Sequence, residues 1–166
     1  MSGVRIIGID GPAGSGKSTL ARAISAETGA PVIEIDDFLT WTSLEVWWPR
    51  FVAEILDPLA AGRDLEYGAR DWWGDRDGDS LLPEPKRVRW SPLVVVEGVS
   101  VTRRAAAERY ALRVWLEADP EVRLARGIAR DGEDQRRQWL AWQSLEAEFF
   151  RADDTRARAD IIIATD

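Results

Sequence analysis

The residues that point most clearly to chemistry form the run Gly11-Pro-Ala-Gly-Ser-Gly-Lys-Ser18, which fits the phosphate-binding pattern G-x-x-x-x-G-K-[ST]. Glycines let such a loop curl, so that its backbone N–H groups and the following helix N-terminus bind phosphate oxygens. The pattern assigns Lys17 to the β- and γ-phosphates of a nucleotide and the Ser18 hydroxyl to Mg²⁺. We therefore expect a nucleotide to be bound by Gly11, Ala13, Gly14, Ser15, Gly16, Lys17, Ser18 and Thr19.

The elements around this loop are those that the motif requires. The apolar run over residues 4–9 predicts a buried strand before the loop, and helical spacing predicts a helix over residues 17–28 after it. Further strands and helices alternate along the chain, a pattern typical of a parallel sheet with helices on both faces. The remaining strands are predicted at 32–35, 93–97, 111–116 and 159–164, and the remaining helices at 49–62, 102–110, from 119 onward and at 134–152.

Composition narrows the chemistry. The 166 residues suffice for one domain, and they contain no cysteine and no histidine, which excludes thiol nucleophiles and histidine bases. Any proton acceptor must therefore be Asp, Glu, Lys or Tyr. The net charge of −7 argues against nucleic-acid binding, and the absence of a long apolar run argues against a membrane protein. We expect a cytoplasmic protein, because no signal-peptide pattern precedes the first strand.

Acidic residues follow two of the predicted strands. Asp36 and Asp37 end the second strand, and Glu97 ends the strand at 93–97. Ligands bind at the carboxyl ends of strands in open α/β sheets, so these carboxylates are candidates for a site. Asp36 could accept the proton of an attacking hydroxyl, Asp37 could do so instead or help to hold a metal, and Glu97 could orient Mg²⁺.

Three arginines share one face of the helix that begins at Asp119. Arg123, Arg126 and Arg130 are spaced by three and four residues. Asp119 could pair with Arg123, which would make this an ordinary solvated face. However, Arg126 and Arg130 are like charges at i,i+4, and a bound triphosphate would relieve their repulsion.

Residues 63–92 interrupt the alternation and are interpreted as an insertion over the site. Gly, Asp, Pro and Arg dominate this segment, and the alternation at 86–90 indicates the edge strand of a hairpin. Trp41, Trp72 and Trp73 could stack on a base or sugar, and Asp71 or Arg70 could bind a hydroxyl or an acid, although packing of the tryptophans under the insertion stays equally open. Trp139 and Trp142, by contrast, are predicted to be core residues.

Together these residues resemble the uridine kinase-like branch of the P-loop nucleoside kinases, and the phosphate loop also resembles that of cytidylate kinases. The run Asp36-Asp37-Phe38 is similar to the Asp-x-Phe motif whose first Asp is the catalytic base, which implies Asp36 and places Phe38 at the substrate. The resemblance further implies that Glu97 is metal-linked, that Arg123 faces the acceptor, and that Arg126 contacts the phosphates, with Arg130 beside it.

These observations predict a single domain with the three-layer P-loop kinase fold: a five-stranded parallel sheet, a Trp-rich insertion at about 63–92 and a lid at about 119–137. The expected activity is transfer of the γ-phosphoryl of Mg-ATP to a small alcohol, with a nucleoside as the leading acceptor and Lys17, Asp36, Arg123 and Arg126 as catalytic residues. A nucleoside monophosphate kinase stays open, because Arg50, Arg63, Arg70 and Arg76 are available to bind an acceptor phosphate. A pantothenate or sugar kinase and a non-catalytic nucleotide-binding module also stay open. The choice of ATP or GTP, the adenine contacts and the oligomeric state are also open.

Overall fold

Strands and helices alternate along the chain in a computed structural model that describes residues 3–166. The strands are β1 (Arg5–Asp10), β2 (Val32–Glu34), β3 (Leu65–Tyr67), β4 (Lys86–Val88), β5 (Leu93–Glu97), β6 (Leu112–Glu117) and β7 (Ile161–Ala164). The α-helices are α1 (Lys17–Thr28), α2 (Trp48–Phe51), α3 (Asp57–Ala60), α4 (Pro120–Asp131) and α5 (Arg136–Asp153).

Five of the strands form a parallel sheet in the order β2-β5-β1-β6-β7, which confirms the predicted five-stranded sheet. Hydrophobic clusters cover both of its faces. Val94 and Val96 pack in one cluster with Phe51 and Trp142, whereas Val95, between them on β5, packs in the other with Ala21 of α1. Successive side chains of a strand point to opposite faces, so this unbroken apolar strand feeds both layers.

The segment that crosses between β2 and β3 is helical over residues 48–60, close to the predicted range. A π-helical stretch, Val52–Leu56, joins α2 to α3 and ends two residues before the proline at position 58. Proline has no N–H to donate, and the wider π turn accommodates that loss. Among residues 3–166, no helix is both long and apolar enough to cross a bilayer.

Two predicted elements differ in type. The region predicted as a helix at 102–110 is a 3₁₀ helix, Arg104–Arg109. The second strand stops at Glu34, and Ile35–Asp37 form a single 3₁₀ turn. This turn carries Asp36 and Asp37, the two adjacent acids that the sequence predicts at the site.

The insertion contains the predicted hairpin. Strands β3 and β4 pair antiparallel, with Leu65 opposite Val88 and Tyr67 opposite Lys86. Leu65 and Tyr67 are buried in the same cluster as the α2–α3 segment. The hairpin therefore packs on the core of the sheet and lies beside the turn that carries the acids.

Candidate active site

A cavity of about 680 Å³ opens at the carboxyl edge of the sheet, and we call it the cleft. It has the phosphate loop on one side and the tryptophans of the insertion and of α5 on the other. Of the predicted site residues, the cleft is lined by Ala13, Gly14, Gly16, Lys17, Ser18, Thr19, Asp36, Trp41, Trp72, Glu97, Arg126 and Arg130.

The phosphate loop has the curled backbone that the motif predicts. Gly11 and Gly14 both have positive φ, and a side chain at either would collide with backbone. A Cβ at Gly11 would lie 2.0 Å from the Leu116 carbonyl oxygen, and one at Gly14 would lie 2.8 Å from the Arg123 carbonyl oxygen. The loop therefore fits closely between β6 and α4. Its lysine, Lys17, donates a hydrogen bond to the Pro12 carbonyl at 2.9 Å.

Ser18 and Glu97 meet at the base of the cleft. The Ser18 hydroxyl donates to Glu97 Oε1 at 2.8 Å. Burial raises the pKa of Glu97 to about 7, while the charge of Lys17 opposes the rise. A hydroxyl beside a desolvated carboxylate suits a hard cation such as Mg²⁺. The described residues contain no group of three or more acidic, His or Cys side chains placed to hold a metal, so Mg²⁺ here would need water and phosphate oxygens as further ligands.

The structure separates the two adjacent acids. The Asp36 side chain is open to the cleft. The surrounding walls desolvate it and raise its pKa, whereas the positive charges of Lys17 and Arg130 lower it. Asp37 is buried and faces the hairpin instead, where its carboxylate is bound by Lys86. Of the two acids that the sequence leaves open as a base, Asp36 is the one placed in the cleft.

Arg123 lies outside the cleft lining, contrary to the expectation that it faces the acceptor. Its Nη1 donates to Glu146 Oε1 at 2.7 Å and to the Ala13 carbonyl at 3.3 Å. Glu146 in turn accepts the Ala13 N–H at 2.9 Å. A buried guanidinium requires fixed acceptors, and α5 supplies one that is distant in the sequence. The alternative pairing with Asp119 does not occur, since that side chain caps α4 by accepting the Glu121 N–H.

The other two arginines of α4 do face the cleft. Arg126 donates to the Gly14 carbonyl at 3.0 Å and to Thr165 near the end of the chain. Arg130 forms two hydrogen bonds with Asp131, at 2.8 and 3.0 Å. Their mutual repulsion is thus partly offset by oxygen acceptors within the protein itself.

The side of the cleft opposite the phosphate loop is aromatic. The Trp41 ring lies edge-to-face against Trp72 at 5.9 Å and against Trp142 at 5.8 Å. Trp139 and Trp142 are 2% and 5% exposed, as predicted for core residues, yet both also line the cleft. The sequence reasoning missed this double role, because helical spacing indicates burial but does not show which cavity a buried face adjoins.

Two further predicted substrate contacts lie elsewhere. Phe38 is 2% exposed and stacks on Tyr67 in the core at 5.3 Å. Asp71 accepts the Gly74 N–H at 2.7 Å, which holds a turn of the insertion, and it does not line the cleft. Trp73 and Arg76, which the sequence also offers as acceptor contacts, do line the cleft. The cleft is further lined by residues that sequence reasoning did not select as contacts: Arg22, Leu39, Thr40, Val99, Gly127, Asp131, Trp139 and Trp142.

A phosphate loop after a central strand, with an acid at the end of the adjacent strand, defines a P-loop protein with the kinase fold. A family model described as an AAA domain matches residues 7–153. The chain belongs to this family.

Solved structures share the fold over nearly the whole chain. A possible uridine kinase from Bacillus stearothermophilus is 21% identical with a TM-score of 0.67, and the match covers 98% of this chain and 90% of that one. D-glycerate 3-kinase from Cryptococcus neoformans is 12% identical with a TM-score of 0.69, and the match covers 99% and 87%. At these identities the likeness shows the fold.

A curated relative matches in sequence over a shorter stretch. The bifunctional pantoate ligase/cytidylate kinase of Synechococcus sp. (strain JA-3-3Ab) is 32% identical over 106 residues. The match covers 57% of this chain and 20% of the relative, so the chain spans about one fifth of that protein's length.

Proposed function

We propose that this protein is a kinase that transfers the γ-phosphoryl group of Mg-ATP to a hydroxyl of a small molecule, with Asp36 as the general base. The observation that carries the proposal is that Asp36, Lys17 and the Ser18–Glu97 pair line one cleft. A carboxylate that is open to this cleft can reach an acceptor bound opposite the phosphate loop. We place the reaction in the cytoplasm, where ATP is available.

The reaction requires the acceptor oxygen to bond to the γ-phosphorus while the bond from that phosphorus to the bridging oxygen breaks. The acceptor proton passes to an Asp36 carboxylate oxygen, and ADP leaves with the electron pair. Lys17, Arg126 and Arg130 supply positive charge around the phosphate oxygens. Ser18 and Glu97 would hold Mg²⁺, which neutralises phosphate charge when bound.

A neutral hydroxyl acceptor, with a nucleoside as the leading candidate, is favoured over a nucleoside monophosphate by the contacts of the arginines in residues 50–76. An acceptor phosphate would require cations in the acceptor half of the cleft. Arg50 instead pairs with Glu54 and contacts the Gly68 carbonyl. Arg70 donates to carbonyls of its own turn. Of Arg50, Arg63, Arg70 and Arg76, only Arg76 lines the cleft.

Similar proteins support a kinase without deciding the acceptor. Those similar in fold include a possible uridine kinase and a D-glycerate 3-kinase, and the curated relative includes a cytidylate kinase. Their printed names share phosphoryl transfer but differ in the molecule that receives the group. The aromatic wall of Trp41 and Trp72 favours an acceptor with a ring face, such as a nucleoside.

The test is ATP consumption measured against a panel of nucleosides, nucleoside monophosphates, sugars and small alcohols. Asp36→Asn should reduce transfer at least a hundredfold while leaving ATP binding nearly unchanged, since general-base catalysis contributes about 10²–10⁴-fold. Asp77→Asn, on an exposed turn of the insertion, is the matched control and should retain activity. ATP binding without transfer to any acceptor would overturn the proposal and favour a nucleotide-binding regulatory module.

A further inference from the structure

The backbone that carries Asp36 is held by the insertion. Asp36 lies on the 3₁₀ turn Ile35–Asp37, which has only three residues. The Trp72 indole N–H donates to the Asp36 carbonyl at 2.8 Å, and the Arg70 backbone N–H donates to the Asp37 carbonyl at 2.9 Å. So short a turn has few hydrogen bonds of its own, and these two contacts restrict where the Asp36 carboxylate can lie.

The side chain of Asp37 is gripped by the β3–β4 hairpin. Lys86 Nζ contacts both carboxylate oxygens, at 2.7 and 2.8 Å. The Tyr67 hydroxyl donates to Oδ2 at 3.2 Å. Tyr67 and Lys86 are directly opposite each other in the hairpin register, so the hairpin approaches Asp37 from both strands. The Asp37 side chain is 11% exposed and that of Lys86 is 46% exposed.

The same insertion also forms the wall of the acceptor site. The Arg70 guanidinium lies 4.5 Å from the Trp72 ring centre and donates to the carbonyls of Asp71, Asp75 and Arg76. Trp72 and Arg76 line the cleft. One braced segment therefore presents the acceptor wall and holds the turn beneath the base.

We propose that Lys86 is a positioning residue for the transfer reaction, which acts through Asp37 to hold the Asp36 carboxylate at the acceptor hydroxyl. The inference rests on the proposed function of Asp36. Without Lys86, the Asp37 carboxylate is left mostly desolvated with Tyr67 as its remaining side-chain donor, and the turn must shift to expose it to water. A displacement of about 1 Å at a catalytic group can reduce the rate about a hundredfold.

The experiment compares Lys86→Met with Arg87→Met. Arg87 is the next residue of β4, and its ion pair with Glu66 at 2.7 Å is exposed and has no contact with Asp37. Lys86→Met should lower kcat at least tenfold with the KM for ATP within twofold of wild type. Arg87→Met should leave both unchanged, and Lys86→Arg, which keeps the positive charge, should recover most of the lost kcat.

Three results would overturn the inference: a kcat within twofold of wild type in Lys86→Met, an equal loss in Arg87→Met, or no recovery in Lys86→Arg. Because the Lys86 side chain is nearly half exposed, its removal should leave the fold intact, and the unchanged KM for ATP checks this directly. The outcome is separable from the proposed function. If Asp36→Asn retains transfer, the proposed function fails; if Asp36→Asn abolishes transfer and Lys86→Met does not reduce it, only the positioning role fails.

Discussion

We expect that replacing Arg123 with methionine lowers the free energy of unfolding and does not directly remove a contact with the acceptor. Arg123 is bound to Glu146, whose side chain is 1% exposed. Burial raises the pKa of Glu146, while the Ala13 N–H, Lys17 and Arg123 oppose the rise. Arg123→Met removes one of those opposing charges and leaves a buried carboxylate with one backbone donor.

The size of the stability loss depends on whether the Glu146 carboxylate stays charged or takes up a proton. Leaving one member of a buried pair charged costs about 3–5 kcal/mol. The free-energy cost has an upper limit, because the carboxylate can take up a proton. Protonating a carboxylate with an ordinary pKa near 4.3 at pH 7 costs at most about 3.7 kcal/mol. We therefore expect Arg123→Met to lower the free energy of unfolding by about 2–4 kcal/mol at pH 7. A carboxylate whose pKa is raised in the folded state makes the fold less stable as the pH rises. The stability deficit of Arg123→Met should therefore become smaller toward pH 5.

Urea unfolding of a double-mutant cycle measures this directly. Glu146→Gln keeps an acceptor for the Ala13 N–H without the charge, so the double variant with Arg123→Met should be more stable than Arg123→Met alone. A stability loss below about 1 kcal/mol, or a double variant no better than the single one, would refute the reasoning. Loss of transfer at unchanged stability would instead support the acceptor-facing role that the sequence resemblance implies.

Three further predictions concern the cleft and its supports. Burial raises the pKa of Glu97 to about 7, so Glu97 should account for a loss of up to about 3 kcal/mol of stability between pH 4.5 and 8 in the ligand-free protein. Because the pKa values of Asp36 and Glu146 are also raised, the stability of Glu97→Gln should still fall with pH but less steeply than that of the wild type, and parallel slopes would contradict the assignment. Trp73 lines the cleft and is 97% exposed. Trp73→Ala should therefore raise the KM for the acceptor about tenfold in steady-state kinetics and leave the melting temperature unchanged. An unchanged KM would show that Trp73 does not contact the acceptor. A Cβ at Gly98 would lie 1.9 Å from Ile35 Cγ2, so Gly98→Ala should lower the free energy of unfolding in urea by about 2–4 kcal/mol. Gly62 also has a positive φ but open space around it, so the control Gly62→Ala should cost about 1 kcal/mol. Equal costs would exclude the collision as the cause.

Most of the fold could be predicted because its signals are local. The apolar run at 93–97 coincides with β5, and the helix expected at 17–28 coincides with α1. The Asp119-Pro120 start of α4 is also confirmed, including the capping side chain. The errors fall on short elements, such as the 3₁₀ turn at 35–37, where a hydrogen bond or two decides the type.

The candidate site was predictable only in part. Lys17, Ser18 and Glu97 lie together because the motif and the strand end specify their positions along the chain. Asp71 and Phe38 do not line the cleft, and the residues next to them in the sequence do not show why. Asp71 caps a turn, and Phe38 stacks under the hairpin at Tyr67.

The sequence by itself determined the phosphate loop, the parallel sheet and the acids at the strand ends, because these depend on residues close together in the chain. The tertiary structure decided which charged groups face the cleft. Asp36 faces it and Asp37 does not because Lys86, 49 residues away, binds the second acid. Arg126 faces it and Arg123 does not because Glu146, 23 residues away, binds the latter. A desolvated charge needs a partner, and the fold can supply that partner from a residue far away in the sequence. The local sequence pattern therefore does not show which charges are paired and which face the cleft.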